Sequence, residues 1–161
     1  MAWMAISISR NFQIKIIAQN NNRRLWCKVI LMRLLMLHVE SFWYRPNQSP
    51  SDDRTEIGES LHVWIHSEEL DEANRASVLR KMVKNIRWLA QKNGCKAITL
   101  HSFAHLDDSK ADPKFADSLI EEVASRLGDR GFDIHIVPFG AFYEFNLHVK
   151  GPSLAKVFKQ I

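Results

Sequence analysis

Apolar residues in this chain recur with two different periods, and the changes between them mark its elements. Between Asp71 and Asn93, Leu79, Met82, Val83, Ile86, Leu89 and Ala90 return at three- and four-residue spacing. That spacing predicts an amphipathic helix, and Gly94 supplies the left-handed residue that ends one. Asp112-Pro113 predicts a second helix, with Asp as N-cap and Pro in the first turn. Its apolar face is Phe115, Ala116, Leu119, Ile120, Val123, Ala124 and Leu127, and Gly128 or Gly131 ends it. Around these helices lie runs of strand length: 33–39, the alternating 61–66, 95–101, 132–137, and 142–149 with Phe145, Leu147 and Val149 on one face. Segment 45–53 is loop by composition. Pro138-Phe139-Gly140 predicts that the strands flanking it form a hairpin. A short last helix is expected from Pro152, carrying Leu154, Val157 and Phe158. The order β-β-α-β-α-β-β-α predicts a single-domain α/β layered sheet with two long helices.

Charge changes this picture at one end only. The chain has 161 residues and a net charge of +4, but residues 1–31 hold Arg10, Lys15, Arg23, Arg24 and Lys28 and no acid. The remainder has 17 basic and 18 acidic residues. The basicity therefore belongs to an N-terminal extension, 1–31, and the domain is expected at 32–161. The extension reads as a targeting peptide, as an arm touching RNA phosphates, or as residues preceding a true start at Met32. Two cysteines, Cys27 and Cys95, form no C-x-x-C or zinc pattern, so a reduced cytoplasmic setting is the default. No apolar run is long enough to span a membrane.

Several chemistries are disfavoured by spacing. His62 and His66 share a strand face but lie about 13 Å apart, and no Cys or acidic cluster completes a ligand set beside them or beside His101 and His105. No metal is expected. Cys95 reads as a small core residue, and there is no G-x-S-x-G elbow, G-x-G-x-x-G or Walker spacing. Two stretches remain. His101-Ser102-Phe103-Ala104-His105-Leu106 lies at a strand end, and Pro138 to Phe145 mixes aromatics with Gly140. Strand ends on a rigid sheet are where ligand groups are presented. Brought together, these two would stack a flat ring and offer a histidine. His105 either positions a water or a ribose hydroxyl, or simply caps its turn. Phe139, Phe142, Tyr143 and Phe145 divide between core packing and base stacking, and the residues nearest Gly140 are the better candidates for stacking.

The same residues carry a family likeness. From Met32 onward the chain resembles the N-terminal editing domain of archaeal-type threonyl-tRNA synthetase, whose fold is shared with D-aminoacyl-tRNA deacylases. The counterparts of the family pattern are Leu37-His38, Ser67-Glu68 with Asp71-Glu72, Phe103-Ala104-His105-Leu106, Pro138-Phe139-Gly140-Ala141-Phe142-Tyr143 and Lys150-Gly151-Pro152-Ser153-Leu154. The resemblance implies a trans-acting deacylase that hydrolyses mischarged seryl-tRNA for threonine, since a pocket alone rejects a substrate one methyl smaller by only about 10–200-fold. The alternatives are a weakly catalytic tRNA 3′-end binding module partnering a threonyl-tRNA synthetase, or a D-aminoacyl-tRNA deacylase.

The resemblance also implies a site. Phe103, Ala104, His105, Phe139, Gly140, Ala141 and Phe142 would surround the terminal adenosine, with His38, Ser67 and Glu68 on the aminoacyl side. His105 and Tyr143 would be catalytic. No cofactor is implied, the partner is aminoacyl-tRNA, and the family fold is often a homodimer. Four departures stand out: Tyr143 replaces the family's lysine, Ala141-Phe142 its Trp-Tyr, Ser67 its valine and Lys156 a glutamate of the closing motif. The first exchanges a permanent cation for a neutral phenol, which still donates a hydrogen bond. The chain is also too short for the class II catalytic core, so threonylation, ATP use and zinc binding are not expected of it.

Overall fold

The computed structural model describes residues 5–8, 13–17, 27–28, 32–47 and 53–161. The chain divides into two compact units, Met1–Ile30 and Leu31–Ile161. Within the first, β1 (Ala5–Ile8), β2 (Gln13–Ile17) and β3 (Cys27–Lys28) form an antiparallel sheet in that order. The rest of the expected extension lies outside the described residues.

The second unit is built on one long strand, β4 (Arg33–Pro46). Its first half pairs antiparallel with β6 (Ser60–His66) and with β10 (Lys156–Gln160). Its second half pairs with β5 (Thr55–Ile57) and β9 (Tyr143–Val149). A register shift between Val39 and Ser41 separates the halves. One extra residue inverts the in–out alternation. Leu34 and Met36 therefore face the helices, whereas Val39, Phe42 and Tyr44 gather in a second core on the opposite face.

Beyond β6 the sheet continues with parallel β7 (Ala97–Ser102) and β8 (Asp133–Ile136). Parallel neighbours need crossovers. α1 (Glu69–Ala73) with α2 (Arg75–Asn93) supplies the first, and α3 (Pro113–Gly128) the second. The expected apolar stripes are buried: Leu79, Met82, Val83, Ile86, Leu89 and Ala90 of α2 and Leu119, Ile120, Val123 and Leu127 of α3 pack on Leu61, Val63, Ile65, Ile98 and Leu100. Each buried Val, Leu, Ile or Met among them contributes about 1.5–3 kcal/mol. Both caps form: Gly94 is left-handed at φ 70°, and Asp112 accepts from the backbone N–H of Lys114 and Phe115. Cys95 packs in the same core, and burial pushes its thiol up to about 11.

Four local expectations are corrected. The helix foreseen from Asp71 starts earlier, at Glu69, and breaks at Asn74, whose backbone (φ −117°, ψ 16°) leaves the helical region; Asp71 is the third residue of α1 and caps its start. Its carboxylate accepts from the N–H of Glu68 (2.7 Å) and Met32 (3.1 Å). The strand ends past the foreseen loop boundary, since Arg45 and Pro46 are paired with Glu144 and Tyr143; 48–52 lie outside the described residues. The 138–140 segment is not a hairpin turn: β8 pairs with β7 and β9 with β4, so it crosses between different strands. Residues after Pro152 make one 3₁₀ turn (Ser153–Ala155) and then β10, not a helix. The free edge of β4 offers a ladder that a nine-residue helix would forgo, and Val157 pairs opposite Met36.

Candidate active site

The site lies at the carboxyl ends of β7 and β8, where open α/β sheets place their ligands. Alternation decides what is presented there. On β7, Ile98 and Leu100 go to the helices, leaving Thr99 and His101 on the other face; on β6, Val63 and Ile65 do the same, leaving His62 and Trp64. Chain leaves β7 with Phe103 N–H bonded to Ile65 O (2.8 Å) and leaves β8 with Val137 N–H bonded to Leu100 O (2.9 Å). These two bonds fix the two walls.

Between the walls is a cleft of about 360 Å³. One wall is His101 to His105, the other Pro138 to Tyr143, with Phe145 of β9 below. It thus brings together Phe103, Ala104, His105, Phe139, Gly140, Ala141, Phe142 and Tyr143, eight residues picked out from the sequence. Gly140 is left-handed at φ 85°, a conformation that strains any side chain. Phe142 is 82% exposed and Phe139 39%, so they form an apolar rim. Phe103 is stacked on Trp64 (4.5 Å, 13°), and His105 meets it edge-on at 5.3 Å. Tyr143 packs edge-on against Tyr44 at 5.1 Å; burial and the Tyr44 phenol push its own phenol above the usual range. Tyr44 Oη in turn pairs with His135 Nε2 at 3.0 Å.

Among the described residues the lining contains no Lys, Arg, Asp or Glu. Its polar groups are two imidazoles, a phenol, the Ser102 hydroxyl and backbone. Such a surface suits a flat, uncharged ring with a few hydrogen-bonding atoms.

His38, Ser67 and Glu68 do not line this cleft. His38 Nε2–H donates to Glu59 Oε1 (2.8 Å), and Glu59 also takes the Lys150 ammonium; both partners hold its carboxyl below the ordinary range. Glu68 is buried, ion-paired with Arg33, accepting from the Ser109 hydroxyl and 3.3 Å from His66. Arg33 also holds Asp107, so Glu68 anchors the loop that follows His105. Ser67 is buried; its carbonyl accepts from Ala111 N–H and its Oγ has no partner.

His101, Ser102 and Phe145 also line the cleft; all three fall within the two stretches singled out from the sequence, Phe145 there divided between core packing and stacking, but none was placed in the implied site, and Trp64 and His62 stand behind them. The available signal was the period of two in His62-Val63-Trp64-Ile65, with polar and aromatic residues on the face away from the helices. Among the described residues no group of three or more His, Cys, Asp or Glu is placed to hold a metal, and no helix is long and apolar enough to cross a membrane.

Comparison with known proteins adds three findings. The sequence model of the archaea-specific editing domain of threonyl-tRNA synthetase matches residues 32–161. Threonine–tRNA ligase of Thermococcus kodakarensis is 31% identical over 139 residues, covering 81% of this chain and 22% of the ligase; that of Nitrosopumilus maritimus is 28% identical over 135 residues, covering 81% and 21%. The chain thus spans about a fifth of the length of these relatives. Among solved structures, a c-Myc DNA unwinding element binding protein (TM-score 0.62, 13% identity, 80% of this chain and 98% of that one) and a probable eukaryotic D-amino acid tRNA deacylase (0.56, 11%, 82% and 100%) share the fold.

Proposed function

Because the chain belongs to the family of archaea-specific editing domains of threonyl-tRNA synthetase, we propose that it hydrolyses the ester of a mischarged aminoacyl-tRNA, with seryl-tRNA for threonine as substrate. It acts in trans, in the cytoplasm, beside a synthetase. The observation that carries this reading is the single cleft uniting Phe103-Ala104-His105 with Phe139 to Tyr143, two segments that lie far apart in sequence. The terminal adenosine enters between the apolar rim of Phe139 and Phe142 and the Phe103 wall. Gly140 lets its ribose approach the backbone.

In this reading His105 holds the attacking water or the neighbouring ribose hydroxyl, and Tyr143 donates to the developing oxyanion. Water adds to the acyl carbon, the bond to the ribose oxygen breaks, and the water's proton ends on that oxygen. The products are free serine and tRNA with an intact terminal diol. A neutral phenol stabilises an oxyanion less than a lysine would, because a charge-assisted bond is about twice as strong. Glu68 and Ser67 act through the loop they anchor. His38 belongs to the aminoacyl side only if the substrate reaches beyond the cleft.

One observation favours a second reading. A lining with no cation or carboxylate suits binding better than turnover, and so fits a tRNA 3′-end module. Both readings meet one assay: purified protein with seryl-tRNA, threonyl-tRNA and a D-aminoacyl-tRNA, with and without EDTA. Loss of the seryl ester alone, unaffected by EDTA, supports editing. Turnover of the D-ester alone supports chiral proofreading, and binding without turnover supports the module.

A further inference from the structure

Behind the cleft runs a hydrogen-bond chain that the reaction above leaves without a role. Trp64 Nε1–H reaches His101 Nδ1 at 3.2 Å, and His62 Nε2 stands 3.3 Å from the same nitrogen. An indole N–H only donates. A proton on His101 Nδ1 would set two N–H groups against each other. The Nδ1–H tautomer and the imidazolium are both excluded, and the one ring proton sits on Nε2. His62 Nε2–H is then a second donor to the same lone pair, beside Trp64. His62 Nδ1 is then a bare lone pair, and it is buried without a partner.

The surroundings agree. Phe42, Phe103 and Phe145 ring His101 at 6.3, 6.1 and 5.8 Å. Burial pushes His101 down to about 4; burial, with smaller effects from His101 and His135, pushes His62 to about 3. His101 is only 7% exposed yet lines the cleft, and among the described residues no protein atom is bonded to its Nε2.

We propose that His101 Nε2–H is a fixed, uncharged donor at the floor of the cleft, that it recognises an acceptor atom of the substrate, and that Trp64 is the residue positioning it. The substrate's identity rests on the deacylase reading; the donor itself does not. Two kinds of acceptor on an aminoacyl-adenosine have the required chemistry, the adenine ring nitrogens and the ester carbonyl oxygen. A ligand that covers this N–H without supplying an acceptor leaves a buried donor unpaired and is rejected.

Ring ¹⁵N NMR of the full chain, with adenosine and 3′-deoxy-3′-(serylamino)adenosine as probes, tests this. His101 should show a protonated Nε2 and a bare Nδ1 from pH 7.5 to pH 5, and Trp64→Phe should mix the tautomers. A Gln amide reaches the place of Nε2, whereas an Asn amide reaches only that of Nδ1. His101→Gln should therefore bind within about threefold of the wild type, and His101→Asn about tenfold more weakly, at similar melting temperatures. A dependence already seen with adenosine assigns the acceptor to the base; one seen only with the seryl compound assigns it to the carbonyl. A protonated Nδ1, equal binding by His101→Asn, or no binding of either probe overturns the proposal. If His101-dependent binding is present but seryl-tRNA is not hydrolysed, the donor stands and the deacylase falls. Hydrolysis unaffected by His101→Asn gives the reverse.

Discussion

The two faces of the sheet are built to different rules. The helix face is uniformly aliphatic: Leu34, Met36, Leu61, Val63, Ile65, Ile98 and Leu100 meet α2 and α3 with almost no exposure. The other face is aromatic and polar. Phe42, His62, Trp64, His101 and Phe145 touch through ring edges and imidazole nitrogens. One buried nitrogen there, His62 Nδ1, has no partner among the described residues. The first arrangement yields stability and little else. The second gives up stability to hold neutral donors and flat surfaces against a cleft. Strands that alternate between the two rules carry both programmes in one sequence.

The sharpest way to break this comparison is on the helix face. Leu100→Ala should cost about 2–5 kcal/mol, because the close-packed site cannot collapse around the lost methyls. Urea unfolding checks it, and the folded fraction should keep its cleft. Next comes acid. His62 and His101 are held neutral in the folded state, near 3 and 4, against an unfolded value of 6.5. Their depressed values mean the unfolded chain binds more protons below pH 6.5, so stability falls as pH drops through 6.5 toward 4. Asp71, raised to about 6 by burial, works the other way between 3.8 and 6, but it is one group against four histidines that burial holds low, His62, His66, His101 and His135. His62→Leu should remove about 2 kcal/mol of the loss between pH 7 and pH 4.5. Unfolding curves at both pH values that show no change in this difference would refute the assignment.

Smaller effects concern the cleft. His105→Ala should lower deacylation about tenfold or more while leaving the melting temperature unchanged. Tyr143→Lys should raise the rate, by restoring a charge-assisted contact; single-turnover hydrolysis reads both. The smallest effect is expected at the extension. We propose that residues 1–31 are dispensable, so a chain beginning at Met32 should melt within about 3 °C of the full one. A larger fall would show that the extension supports the domain.

What the sequence could reveal follows from how local each decision is. α2 and α3 were legible because their spacing, Gly94 and Asp112-Pro113 lie within the elements themselves. β10 was not: Leu154, Val157 and Phe158 have helical spacing, and only the open edge of β4, more than a hundred residues away, makes them a strand. The supposed hairpin failed for the same reason, since β8 and β9 each had a better partner elsewhere. In the site, the two cleft walls were legible as strand ends rich in aromatics. Glu68 was not, because its role depends on Arg33 and Ser109, and His38 depends on Glu59. His101 was visible at the head of one strand-end stretch, but its place on the cleft face depends on an alternation whose face the sequence alone did not identify.

The most direct test is a crystal structure of the protein with 3′-deoxy-3′-(serylamino)adenosine. The adenosine is expected between Phe103 and the Phe139–Phe142 rim, with the seryl group directed toward His105 and Tyr143. Density instead beside His38, Glu59 and Lys150, with the cleft empty, would contradict it.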